Sequence, residues 1–150
     1  MTQTTQTMPL TITAVNKPWE TGFGGLMAAI TAQGFSPNEA SAYTLTFTHL
    51  CYGHARKFSQ DYDGDFWRWY TQSNGGFFIC PQAEKTYRIE VYSNYYSGKM
   101  SAQALGITVS LYALCIMAES GHAFFIESYY RLRDFAVQHP EWAAIGGAID

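Results

Sequence analysis

The sequence predicts an α+β domain: an antiparallel meander of three or more strands packed against about four helices. Three observations carry that prediction. Ser36-Pro37-Asn38-Glu39 is a capping box with proline in the first turn, and helical periodicity follows it. Asn74-Gly75 stands between two aromatic runs, which is the strongest short hairpin signal. The stretch after Ser101 is apolar nearly all round, as a helix at the centre of a core must be.

Taken in order, residues 1–9 are rich in Thr and Gln and are expected to form a disordered tail, leaving 10–150 as one domain. Leu10 to Val15 alternates weakly and reads as a short strand. A short helix over Leu26 to Gln33 is closed by Gly34. The helix capped by Ser36 runs to about Phe58, with Tyr43, Phe47, Leu50, His54 and Phe58 as its apolar stripe. Asp61 to Asp65 is turn chemistry. Phe66 to Thr71 and Phe77 to Cys80 are the two strands of the hairpin, and Thr86 to Tyr92 is the third strand of the meander. In that third strand Tyr87, Ile89 and Val91 share one face. Ser93 to Lys99 reads as a loop, and Ser101 as the N-cap of the buried helix, which ends near Glu119 before Gly121. An amphipathic helix over Phe124 to Gln138 and a short one over Glu141 to Ala148 complete the chain.

The bulk properties argue against several function classes. The length, 150 residues, suits one domain. Net charge is −3, which argues against both a strongly basic nucleic-acid binder and a densely acidic DNA mimic. Only 14% of residues are charged while 17% are aromatic, so part of the surface must be neutral or aromatic. No signal peptide or membrane span is visible, and the three cysteines show no CxxC spacing, which together predict a reducing cytoplasm.

Each constellation that could carry chemistry has a plainer reading. Asp61, Asp63 and Asp65 alternate like a calcium loop, but Phe66 and Gln72 stand where the EF-hand needs Gly and Glu, so the expectation is a turn and no metal. His49 and His54 are five apart and do not form an i, i+4 ligand pair. Cys115 lies in the most apolar helix and Cys80 ends a strand, so both are expected to be inert structural thiols. Ser73 to Gly76 lacks the Lys-Ser/Thr of a phosphate loop and reads as a tight turn. No cofactor is expected. Phe66, Trp67, Trp69 and Tyr70 put aromatics on both faces of one strand, which serves either as core on both sides or as an aromatic platform for a partner. Arg131, Arg133 and Asp134 fall on the exposed side of an amphipathic helix. The candidate interaction surface is therefore Trp67, Trp69, Tyr70, Asn74, Arg131, Arg133 and Asp134, with no catalytic residue.

Three blocks of the chain resemble a known family. Tyr62 to Phe78 resembles a Y-x-G-G-x-W-x-F-Y-x-L-S-N-G-G-F-Y signature. Ser101 to Ile107 is similar to an S-A-D-A-A-G-I helix start. Tyr129 to Ala136, His139-Pro140-Glu141 and Ala148-Ile149-Asp150 resemble a Y-Y-R-L-R-D-F-A…H-P-E…A-I-D tail. The family is that of antirestriction proteins of the ArdB/KlcA type, and the resemblance covers roughly 60–150. The N-terminal third departs from it, lacking the usual F-L-P-R-H-F-G-like stretch. The resemblance implies a small cytoplasmic bacterial protein encoded on plasmids, prophages or other mobile elements. Such a protein protects incoming DNA from type I restriction without catalysis and without DNA mimicry. Its implied partner is the host type I restriction machinery or its DNA complex, with a weak DNA contact left open and no membrane. Two alternatives from other classes are a nucleic-acid-binding module using the aromatic sheet face and a small Cys/His hydrolase.

Overall fold

The computed structural model describes residues 8–150. Most of the expected tail, residues 1–7, lies outside the described residues; Met8 and Pro9 are exposed and irregular. The α+β architecture is as expected, with five α-helices and five strands in two antiparallel sheets among the described residues.

Strand β1 (Ile12–Ala14) leads into a π-helical turn over Pro18–Phe23, then α1 (Gly24–Thr31) and α2 (Pro37–Phe58). The π turn is defined by the Gly22 amide reaching back five residues to the Lys17 carbonyl at 3.2 Å. Helix α2 starts where its capping box predicts. Ser36 Oγ accepts from the Glu39 amide and Glu39 Oε1 accepts from the Ser36 amide, both at 3.1 Å. Its buried stripe is rotated from the expected one. Ala40, Thr44, Phe47, Cys51, Ala55 and Phe58 are buried, while Tyr43, Leu50 and His54 stand at the edge, half-buried. Small residues at the centre let α2 lie close to the next helix of the core, and the larger side chains close over the seam.

The hairpin forms as predicted. Strand β2 (Trp67–Gln72) pairs with β3 (Phe77–Pro81), with Trp69 opposite Ile79 and Tyr70 opposite Phe78. Gly75 takes the left-handed backbone the turn requires, φ +87°. The strand connection after it differs from the meander expected. Strand β4 (Thr86–Val91) does not join the hairpin; it pairs with β5 (Tyr96–Ser101), a segment read from sequence as loop and cap. The third place in the first sheet belongs to β1, whose Ala14 lies opposite Tyr70. Strand β5 has Met100 as its one buried residue and carries Gly98 and Lys99, so it shows no apolar alternation to read.

Helix α3 (Ala102–Ala118) is the core helix, with α2, α4 (Ala123–Ala136), α5 (Trp142–Ile149) and β3 around it. Ser101 Oγ caps it through the Ala104 amide at 3.1 Å, and Glu141 fixes Ser101 in turn by accepting from its amide at 2.9 Å and its hydroxyl at 2.5 Å. Two small residues bring α3 onto the free edge of β3. A Cβ on Gly106 would overlap the Cys80 Cβ and the Ile79 carbonyl. One turn on, Ser110 Oγ accepts from the Ile79 amide at 3.2 Å and donates to its carbonyl at 3.3 Å. A helix hydroxyl thus satisfies the edge groups that a further strand would take. Burial of α3 is continuous from Ala104 to Leu111; towards its C-terminal end Leu114 and Met117 are buried but Cys115 and Ile116 between them are exposed, so Cys115 is not the enclosed thiol expected.

Candidate functional site

The hairpin tip is clasped to α4. Asn74 Nδ2 and Gln72 Nε2 both donate to the Arg131 carbonyl, at 3.0 and 2.9 Å. Asn74 Oδ1 accepts from the Gly76 amide and from Gln72 Nε2, each at 3.0 Å. Gly76 permits this approach, since a Cβ there would come within 3.0 Å of the Arg131 side chain. Asn74 is therefore a clamp as well as a turn residue. The Arg131 guanidinium is half-exposed beside it and pairs with Glu127 at 3.8 Å. Arg133 turns the other way, donating to Tyr129 Oη at 3.3 Å and lying over the Trp142 ring at 5.9 Å. Asp134 is exposed. Of the expected surface residues the structure brings Asn74 and Arg131 together and sets Arg133 apart.

The aromatic strand does not present a platform. Trp67 and Trp69 are only 8% and 7% exposed, which corrects their assignment to an interaction surface. Their face is covered by α2 and the π turn: Phe47 lies 6.1 Å from Trp69, Tyr52 lies 5.1 Å from Trp67, and Gly22 seats against the Trp69 ring. Tyr70, on the other face, is half-buried and stacked on Phe78 at 5.0 Å, and Phe78 is stacked on Phe135 of α4 at 5.8 Å. Both faces of β2 are occupied because a two-layer cover, α2 on one side and α4 on the other, encloses it. The aromatics left outside here are Phe66, a member of the expected aromatic run, and Trp19, which was not among the expected surface residues. Trp19 on the π turn is 79% exposed and Phe66, just before β2, is 83% exposed. The available signal was an isolated Trp among Pro, Gly and polar residues, where no regular element could bury it.

The groups considered for chemistry are directed elsewhere. Cys51 is fully buried beside Ser110, and burial pushes its thiol pKa far up. Burial likewise pushes Cys80 up to about 12. His54 Nδ1 donates to the Leu50 carbonyl at 2.7 Å, and His122 Nε2 lies 3.3 Å from Tyr43 Oη. His139 Nδ1 accepts from the Glu141 amide and Nε2 reaches Gln103; burial lowers its pKa. The three aspartates of the turn diverge. Asp61 grips Arg88 through its backbone amide (2.8 Å), Nε (3.0 Å) and Nη2 (2.7 Å), which holds its carboxyl well below the usual carboxylate range. Asp63 pairs with Lys85 at 3.7 Å, and Asp65 accepts from the Phe66 and Ala83 amides. Among the described residues no group of three or more His, Cys, Asp or Glu side chains is placed to hold a metal ion, and no helix is long and apolar enough to cross a membrane.

Comparison with known proteins gives one consistent result. A family model described as antirestriction protein matches residues 60–150. The antirestriction protein KlcA of Escherichia coli is 40% identical over 107 residues, covering 67% of this chain and 75% of that protein. The uncharacterized protein YafX of Escherichia coli strain K12 is 41% identical over 102 residues, covering 63% and 64%. A solved structure aligns over 99% of this chain and 100% of its own with a TM-score of 0.79 and 31% identity. That structure comes from work on the KlcA and ArdB proteins describing a novel fold and antirestriction activity against type I DNA restriction systems in vivo but not in vitro.

Proposed function

The chain belongs to the antirestriction protein family, and from that premise we propose that it protects incoming DNA from host type I restriction by binding, without a catalytic step and without imitating DNA. The observation that carries the reading is the full-length structural likeness to a protein active against type I systems. The arrangement of charge supports the rest. A DNA mimic needs an uninterrupted array of free carboxylates at phosphate spacing. Here Asp61, Asp63, Glu20 and Glu127 are each paired with a cation, Glu39 accepts a backbone amide, and Glu141 is spent on Ser101. The thiols at 51 and 80 are held protonated, which suits a role without a cysteine nucleophile.

On this reading the partner is the type I machinery or its DNA complex, met in the bacterial cytoplasm, and the gene travels on a plasmid, prophage or similar element. Of the surface expected from sequence, Tyr70, Asn74, Arg131, Arg133 and Asp134 stay within reach of a partner, and Trp67 and Trp69 act only through the packing behind it. The test is the plating of unmodified phage on cells carrying a type I system, with and without this chain. Protection with host modification unaffected is expected. Equal plating in both strains overturns the reading.

A further inference from the structure

We propose that the groove between the π turn, α2 and the start of β2 receives an arginine or lysine side chain, flanked by apolar residues, from a partner protein. This rests on the reading of the chain as a binding protein and gives that contact a surface. The groove has a volume of about 390 Å³ and is walled by Trp19, Phe23, Tyr52, Phe66 and Trp67, with Asp65 the one carboxylate and His49 the one basic side chain of its lining. Its rim is built to stand out of the core. Gly22 presses on the Trp69 ring, where a Cβ would meet ring atoms at 2.7 Å, and this contact fixes the π turn. The turn then holds Trp19 5.7 Å from Phe23 at the groove edge. Opposite, Asp65 Oδ1 accepts the Phe66 amide at 2.7 Å and Oδ2 accepts the Ala83 amide at 2.5 Å, which places the Phe66 ring in solvent. Lys17 and Glu20, the charges on the π turn, neutralise each other at 3.4 Å.

Charge and chemistry choose the occupant. Exposed Trp19 and Phe66 side chains lining one groove are a burial site left open. Aromatic faces attract cations, and a carboxylate at the edge of the same groove adds to that attraction. Neither Lys nor Arg lines the groove, so it offers a phosphate no permanent cation, and Asp65 would repel it. A nucleic-acid strand is thereby disfavoured even though its bases could stack on the rings. A second copy of this chain would bring a net charge of −3 to a site whose own charge is negative.

The experiment titrates the full chain with a short capped peptide carrying arginine between two leucines, and with its glutamine and glutamate counterparts, following the Trp19 and Trp67 indole N–H signals by NMR, with Trp67 as the reporter in Trp19→Ala. The expected result is saturable binding of the arginine peptide, at least about tenfold tighter than the glutamate peptide. Trp19→Ala and Phe66→Ala, both at exposed positions, weaken it by about tenfold or more with an unchanged far-UV spectrum and thermal midpoint. Asp65→Asn reduces the arginine preference. Equal affinity for the three peptides, or binding indifferent to Phe66→Ala, overturns the proposal. So does tighter binding of an oligothymidylate at the same indole, or a dimer in sedimentation that Phe66→Ala dissolves. Plating separates the two readings. An unprotected strain refutes the proposed function and leaves the peptide result standing, whereas protection that survives Trp19→Ala with Phe66→Ala refutes the groove as the contact.

Discussion

The two sheets of this small protein solve opposite problems. The β1-β2-β3 sheet is covered on both faces, by α2 and the π turn on one side and by α4 on the other, and its β3 edge is closed by Ser110 of α3. The β4-β5 sheet keeps one face dry, through Tyr87, Ile89, Val91 and Met100, and leaves the other in water, where Arg88 and Lys99 lie directly opposite each other. The enclosed sheet owes its position to close backbone approaches and to side-chain clasps. The half-open sheet owes its position mainly to alternation, with Glu141 fixing the end of β5 at Ser101 and Asp61 gripping its wet face at Arg88. Substitutions in the first should therefore cost far more than substitutions on the outer face of the second.

The largest effect is expected at Gly106. Alanine there gains helix propensity, yet its Cβ collides with the main chain of β3, so Gly106→Ala should destabilise by about 3 kcal/mol or more in urea unfolding. A neutral result would break the claim that α3 touches the strand backbone. Next comes Asn74→Ala, which leaves the Gly76 amide without its partner and the Arg131 carbonyl with Gln72 alone; roughly 2 kcal/mol is expected. Faster amide exchange confined to the hairpin would locate the loss.

A smaller and pH-dependent effect belongs to Asp61, which ties the first turn to the half-open sheet. Its carboxyl titrates below its unfolded value because Arg88 holds the ionised form. The stability it contributes is fully present above about pH 4 and is lost as pH falls from there. Asp61→Asn should flatten the acid side of a thermal-midpoint profile and leave the shape above pH 6 alone. The smallest effect should be favourable. Lys99→Glu replaces a like-charge cross-strand pair with an opposite one and should raise the thermal midpoint by about 1 °C. A fall of several degrees would show that Lys99 has a structural partner.

The same contrast explains what the sequence disclosed. Strand β4 was legible because one wet face makes apolar and polar residues alternate, and the hairpin was legible because Asn74-Gly75 is a local device. The start of α2 was legible for the same reason, since Ser36 and Glu39 meet within one turn. Strand β5 was hidden because its partner supplies nearly all the burial. The α2 stripe is shifted from its apolar pattern because the centre of that contact is lined by the small residues Ala40, Thr44 and Ala55, which bulk does not reveal. For the candidate surface, alternation correctly put Trp67 and Trp69 on one face but could not say that α2 covers it. Nor could it say that Phe66, one residue earlier, points into water: that depends on Asp65 reaching Ala83, eighteen positions away.

The hydroxyl of Ser110 has a consequence for the nascent chain. It closes the edge of a strand made thirty-one residues earlier, and translation proceeds at about 5–20 residues per second. For some seconds, lengthened by the stretch still inside the ribosomal tunnel, the Ile79 peptide groups stand unpaired on an aromatic hairpin able to adhere to its neighbours. Slowing elongation between the hairpin and α3 should thus reduce the soluble yield, and Ser110→Ala should reduce it further while leaving the hairpin sequence itself untouched.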